Sequence, residues 1–241
     1  MRDDQFGWLD ALHLASASLP IGGFAYSQGL EQACHIGLVN DAGSAQTWIA
    51  DYLLLVLARQ EMPLWLAVFQ ASHSKDWETV CAVTQRLHAL RETAELRLES
   101  RQMAHAMVRL YDQWLMSLDK FNGEMPNDGD RFAIPHEVVG VLQQDYTAAH
   151  AALCGARQIE PDVAMTAWLW SWLDNQVLAA VKLVPLGQRD GQAILHAVKP
   201  KLIKAMDIAS HTPLHEAGSA PLGLVLASTQ HETQYARLFR S

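Results

Sequence analysis

His211 and His215 are four residues apart, the spacing that sets two imidazoles on one face of a helix to hold a metal ion. Pro213 lies between them and breaks the helix such a pair would need, so the sequence predicts no purpose-built metal site there. With eleven histidines spread along the chain, one such pair by chance is expected. Cys34, Cys81 and Cys154 are far apart and form no Cys-x-x-Cys. Their odd number and wide spacing fit a reducing compartment rather than a disulfide framework. No Gly-x-Ser-x-Gly is present, so a nucleophile elbow is excluded. The glycine-rich stretch Leu19-Pro-Ile-Gly-Gly-Phe-Ala-Tyr-Ser-Gln-Gly-Leu-Glu31 ends in no Gly-Lys-Ser/Thr and lacks the third-glycine spacing of a dinucleotide fingerprint. Tyr26 and Ser27 have no local base beside them. The chemistry-bearing side chains gather instead in three places: the turn Gly22–Glu31, the polar interruptions Asp174, Asn175, Gln176 and Lys182 of an apolar run, and the C-terminal stretch with Tyr235, Arg237, Leu238, Phe239 and Arg240.

The elements that must position these residues read as helices. Pro161 suits a first helical turn and Pro185 ends one, and the residues between make roughly six turns. Trp168, Leu169, Trp172, Leu173, Val177, Ala180 and Val181 nearly encircle that axis, which predicts a central helix buried on most sides. Its polar residues are too many for a membrane span and fit either a satisfied core network or a binding role. Helices are also predicted from Phe6 to Ser16, after the Phe24–Glu31 stretch to about Ile36, and after a cap at Asp41 or Ser44, this last separated by Pro63 from another apolar helix over Leu64–Ala71. A further helix follows a cap at Ser74, and a long amphipathic one runs from Arg91 to Leu118 with Leu96, Met103, Met107, Leu110 and Trp114 as its core stripe. Later helices are expected near Val138–Gln144 and Tyr146–Gly155, as a pair on either side of Pro200, and near Leu224–Glu232. No segment alternates with period two. The fold class predicted is all-α, a single domain of about ten helices over residues 1–241. A mobile loop is expected at 120–135, where Asn-Gly, Asn-Asp-Gly-Asp and two prolines concentrate. Gly22 and Gly23 predict a turn with positive φ or a close backbone approach.

Composition narrows the function classes. The chain has 241 residues, half of them apolar, and a net charge of −8 without any block of Lys or Arg. Nucleic acid is therefore excluded as an expected partner. The N-terminal Met-Arg-Asp-Asp-Gln is unlike a signal peptide, which predicts a cytoplasmic protein with no membrane partner.

The three polar places are also where the chain resembles a known family. Leu19–Glu31 is similar to the N-terminal signature of the urease accessory protein family UreF. Ser171–Gln188 with Asp190-Gly-Gln192 is similar to its central signature, and His231–Ser241 to its C-terminus. Arg91-Glu-Thr93 and Ser100-Arg-Gln102 fit its middle helices. The match runs in order along nearly the whole chain, with Asp174 where Glu and Ala236 where Ser is expected, and it is weakest over 120–145. The resemblance implies a non-catalytic all-α chaperone that dimerises. It also implies binding to UreD (also called UreH) and to the GTPase UreG, and regulation of nickel insertion into apo-urease without a cofactor of its own. It implies partner contacts at Gly22, Gly23, Tyr26, Gln28, Glu31, Lys182 and Tyr235, and along the tail at Arg237, Leu238, Phe239 and Arg240. The competing reading of the residues is a helical enzyme with a small organic substrate in its core and Tyr26, Glu31 and Lys182 as polar groups. An aromatic-basic tail, with two potential interface anchors, favours the first.

Overall fold

The computed structural model describes residues 3–121, 134–219 and 221–241, with side chains described for 7–111, 134–219 and 221–241. Among them there is no strand, and the fold is the all-α single domain expected. The helices are α1 (Asp3–Leu14), α2 (Leu30–His35), α3 (Ala42–Asp51), α4 (Met62–His73), α5 (Trp77–Ala89), α6 (Ala94–Phe121), α7 (His136–Leu142), α8 (Tyr146–Ala156), α9 (Pro161–Leu183), α10 (Gln188–His211) and α11 (Leu222–His231). Short 3-10 turns stand at Gly23–Ala25 and Leu214–Glu216. The expected loop at 120–135 lies outside the described residues except at its ends, where α6 runs on to Phe121.

Two prolines do not act as expected. A π-helical stretch, Tyr52–Glu61, joins α3 to α4, so that Ala42–His73 is one rod passing through Pro63. In an α-helix Pro63 would leave the Arg59 carbonyl without its N–H partner. The Gly218 N–H donates to that carbonyl at 3.1 Å. Pro200 lies inside α10, on an exposed stretch where a stranded carbonyl can take water, so the predicted pair of helices is one. Helix starts follow local chemistry. Asp41 caps α3 with its carboxylate on the Ser44 N–H at 2.7 Å, and Asp76, rather than Ser74, caps α5. The rod is long and apolar enough by composition to cross a membrane, but most of it is buried within the fold.

The helix buried on every side is α8, not α9. Each residue from Thr147 to Ala156 is buried, whereas α9 leaves Thr166, Trp170, Leu178 and Lys182 exposed. The sequence of α8 is Tyr-Thr-Ala-Ala-His-Ala-Ala-Leu-Cys-Gly-Ala, and its small side chains let neighbouring backbones close in. A Cβ on Gly155 would stand 2.4 Å from the Phe69 carbonyl oxygen of α4. Large residues encircled the α9 axis in the sequence, but small ones make a core helix when the neighbours supply the bulk. Here Trp65 and Phe69 stack at 5.2 Å on α4, and Leu169 of α9 is fully buried. On α6 the stripe Leu96, Met103 and Met107 is core, as expected; Trp114 is outside the described side chains.

Candidate functional site

The three polar places of the sequence come together in space. The turn begins with Gly22 at φ 79°, a left-handed conformation that costs a residue with Cβ about 1 kcal/mol or more. Gly23 does not share it: a Cβ there would meet only the Met103 methyl at 3.4 Å, so the predicted positive φ belongs to Gly22 alone. The Gly23 carbonyl accepts from Asn175 Nδ2 of α9 at 3.0 Å, and the Tyr26 carbonyl from the same nitrogen at 3.2 Å. Gln28 (φ 54°) and Gly29 (φ 82°) turn the chain into α2, which starts at Leu30.

Tyr26 and Gln28 are occupied within the chain. Tyr26 is buried, and its hydroxyl donates to Gln102 Oε1 of α6 at 2.7 Å. Burial first, and then the Glu99 charge, raise the affinity of that hydroxyl for its proton, with Arg240 partly opposing them. Gln28 donates to Glu99 at 2.8 Å and accepts from Trp172 Nε1 at 2.8 Å and Gln176 Nε2 at 3.4 Å. Thus Asn175 and Gln176 form a satisfied network, one of the two roles left open for the polar residues of α9. Burial pushes Glu99 up to about 6, with the hydrogen bonds from Ser241 and Gln28 acting in the opposite direction.

The tail is folded back onto this network. Glu31 accepts the N–H groups of Leu238 at 2.6 Å and Phe239 at 2.8 Å. The Arg240 N–H donates to the Ala25 carbonyl at 2.8 Å. The Ser241 carbonyl takes the Ser27 and Gln28 N–H groups at 2.7 and 3.1 Å and the Ser27 hydroxyl at 2.6 Å. Phe239 is buried against the chain itself, and the Lys182 ammonium sits 5.8 Å from the centre of its ring. Arg237 pairs with Glu95 and donates to the Gln234 and Glu232 carbonyls. Phe239, expected at a partner contact, is packed within the chain itself. Tyr235 is fully exposed, Leu238 is 64% exposed, and Arg240 is exposed.

Beneath the turn a cavity of about 120 Å³ runs between α9 and α6. Phe24 and Leu178, both exposed, border it, and Glu61, Arg91 and Glu99 line its polar side. Arg91 makes a two-pronged contact with Glu61 at 2.8 and 3.0 Å, reaches Asp145 at 3.1 Å and donates to Thr147 at 3.0 Å. Neither Tyr26, Glu31 nor Lys182 lines the cavity, so the helical-enzyme reading loses the groups it named. The sequence reading missed Phe24, Glu61, Glu95, Glu99, Asp145 and His231. Only Phe24, an aromatic directly after two glycines, carried a local signal.

For metals, His211 ends α10 and His215 stands in the next 3-10 turn, both well exposed, contacting Asp207 and Glu216 respectively. Among the described residues no group of three or more His, Cys, Asp or Glu side chains is arranged to hold an ion.

The sequence model described as UreF matches residues 39–199. Over 230 residues the chain is 44% identical to a protein of Ectopseudomonas mendocina called urease accessory protein UreF, covering 95% of this chain and 97% of that one. Proteins of the same name from Azotobacter vinelandii and Cupriavidus pinatubonensis are each 43% identical, covering 95% and 97% of this chain and 97% of each relative. Identity at this level and over this length, joined to a helical fold that packs all three signature stretches into one site, means that the chain belongs to the UreF family.

Proposed function

We propose that this protein is a non-catalytic assembly factor in urease maturation, which works by presenting a preformed surface to a protein partner. In this reading the partner is UreD/UreH. The complex, built on a cytoplasmic dimer of this chain, recruits the GTPase UreG and regulates GTP-dependent delivery of nickel, the cargo, to apo-urease. The observation that carries the surface is the division of labour along the tail. Backbone groups of 238–241 are fixed by Glu31, Ala25, Ser27 and Gln28, while Tyr235 and Leu238 face outward. A segment already held in one conformation has less entropy to lose on binding, and tyrosine with arginine suits an interface core and rim. Gly22, Gly23, Tyr26, Gln28 and Glu31 serve the surface from behind, as its scaffold. Lys182, Arg237 and Arg240 supply positive charge near its edge, where it favours correct register with an acidic partner face.

The test is co-purification of the full chain with UreD and UreG, comparing the native protein with a double variant Tyr235→Ala, Leu238→Ala. The native chain is expected to capture both proteins. The variant is expected to keep its fold and to bind UreD about a hundredfold more weakly, since two interface side chains at about 1.4 kcal/mol each amount to that factor. Undiminished capture by the variant puts the docking surface elsewhere.

A further inference from the structure

The tail is fastened at one point that the partner-docking reading does not use. His231, the last residue of α11, has a fully buried ring. Its Nδ1 is 2.6 Å from Glu95 Oε2 on α6, and its Nε2 is 3.2 Å from Glu31 Oε2 on α2. Carboxylate oxygens accept, and a neutral imidazole has only one N–H to give. With a neutral ring, one of the two contacts would set a nitrogen lone pair against a carboxylate oxygen inside the protein. Both contacts are made only when the three groups together hold one proton more than a neutral ring and two ionised carboxylates.

The other charged and titratable groups around the ring fit this count. Arg237, from the tail, pairs with Glu95. Glu232 turns its carboxylate to the Ala94 and Glu95 N–H groups at 2.7 and 3.2 Å, away from the ring. Cys34, on α2, has its thiol pushed up to about 11 by burial and then by Glu31, so it stays neutral. Glu99, one turn beyond Glu95 on α6, is bound to Gln28 and Ser241. Two carboxylates, one guanidinium and one imidazolium balance; a neutral ring leaves one buried negative charge without a counter-charge. The same Glu31 carboxylate holds the Leu238 and Phe239 amides, so whatever disturbs the ring disturbs the fastening of the tail.

We propose that the Glu31–His231–Glu95 bridge is a proton-dependent clasp, closed while it holds that proton and opened when rising pH removes it, so that the docked shape of the tail, and with it the surface on which the partner reading rests, is set by pH. Undocking exchanges one proton, so the equilibrium shifts about tenfold per pH unit once the clasp titrates.

Hydrogen exchange at the Leu238 and Phe239 amides, on the full chain without any partner, tests this from pH 6 to 9. Rates are corrected for base catalysis, and α8 amides serve as the control for global opening. The expected result is protection of both tail amides that falls about tenfold per pH unit above the titration, with α8 unchanged. His231→Gln is expected to lower tail protection and make it independent of pH. Level protection in the native chain, or the same slope in the variant, overturns the proposal. If the variant does not fold, nitrogen chemical shifts of the native His231 ring, read with the carboxyl carbon shifts of Glu31 and Glu95, decide: an extra proton at pH 7 on the ring or on either carboxyl supports the clasp, and a singly protonated ring between two ionised carboxylates overturns it. Because no partner is present, failure here leaves the docking surface standing, and failure of the Tyr235 and Leu238 variant to lose UreD leaves the clasp standing.

Discussion

Helix α8 and the C-terminal tail are both held tightly, by opposite means. Around α8 the contacts are apolar and close, with Ala148, Ala149, Ala151, Ala152, Leu153 and Cys154 nearly or fully inaccessible to water. Its histidine, His150, accepts a hydrogen bond from Trp65 Nε1 at 3.1 Å and is otherwise surrounded by ring and sulfur contacts. The tail buries little besides Phe239 and Ser241, and is fixed by directional bonds to oxygens of Glu31 and Ala25 and from Ser27 and Gln28 to the Ser241 carbonyl. Non-directional burial is spread over many atoms and survives the loss of one polar group. A set of bonds converging on a single carboxylate does not. The core therefore responds to volume and to charge forced into it, and the tail to the protonation and shape of one or two side chains.

The largest effect expected is acid sensitivity of the core. Burial holds His150 down to about 3, below the imidazole value of an unfolded chain. A histidine depressed on folding contributes stability that is complete above about pH 6.5 and lost as pH falls toward its folded value. About 3 kcal/mol should be gone by pH 4, at about 1.4 kcal/mol per pH unit. Urea unfolding of native and His150→Gln protein at pH 7 and pH 4 measures it: the variant should lose much less between the two. Equal losses would assign the acid sensitivity to other groups and weaken the contrast.

Next comes crowding of the same helix. Gly155→Ala forces a methyl group against the Phe69 carbonyl, a backbone atom that cannot swing aside. A loss of about 2 kcal/mol in unfolding free energy is expected, in the usual range for overpacking, with exchange at the tail amides rising only through global opening. A neutral substitution would mean that α4 and α8 can slide apart.

A smaller effect of opposite sign is expected at Glu99, beneath the tail. Its carboxyl is raised to about 6 by burial, so its contribution is complete below the unfolded value near 4.5 and is lost as pH rises through 6. Glu99→Gln should then stabilise the isolated protein at pH 7 by up to about 2 kcal/mol and flatten its pH dependence between 4.5 and 6. Thermal melts across that range measure both. Destabilisation at pH 7 would show that the bonds from Gln28 and Ser241 need the charge.

Lys182 should give the smallest change in stability. Its exposed ammonium lies 5.8 Å from the Phe239 ring, and an exposed contact of this kind contributes about 0.5–1 kcal/mol. Lys182→Ala is expected to shift the melting temperature by only a few degrees, yet to reduce UreG recruitment or regulation in the assembled complex. Normal GTP turnover and normal urease activation would make Lys182 structural only.

Local chemistry made much of the fold legible. A carboxylate able to reach an N–H three residues on marks the start of α3, and Pro161 and Pro185 bracket α9, because these signals act within one turn of chain. The absence of period-two alternation announced an all-helical protein, and Gly22 announced a left-handed turn. Three groups of polar residues could be picked out for the same reason: each is contiguous in sequence. That Pro63 does not break its helix depends on a donor at Gly218, and that α8 is the centre depends on bulk supplied by α4 and α9. The tail lies on the body of the protein because Glu31, some 200 residues earlier, turns both oxygens toward its amides. Caps, breakers and periodicity are properties of neighbours along the chain and can be read there. The partner of a stranded carbonyl, a bare glycine or a buried carboxylate is whatever packing brings within about 3 Å, and only the folded chain decides that.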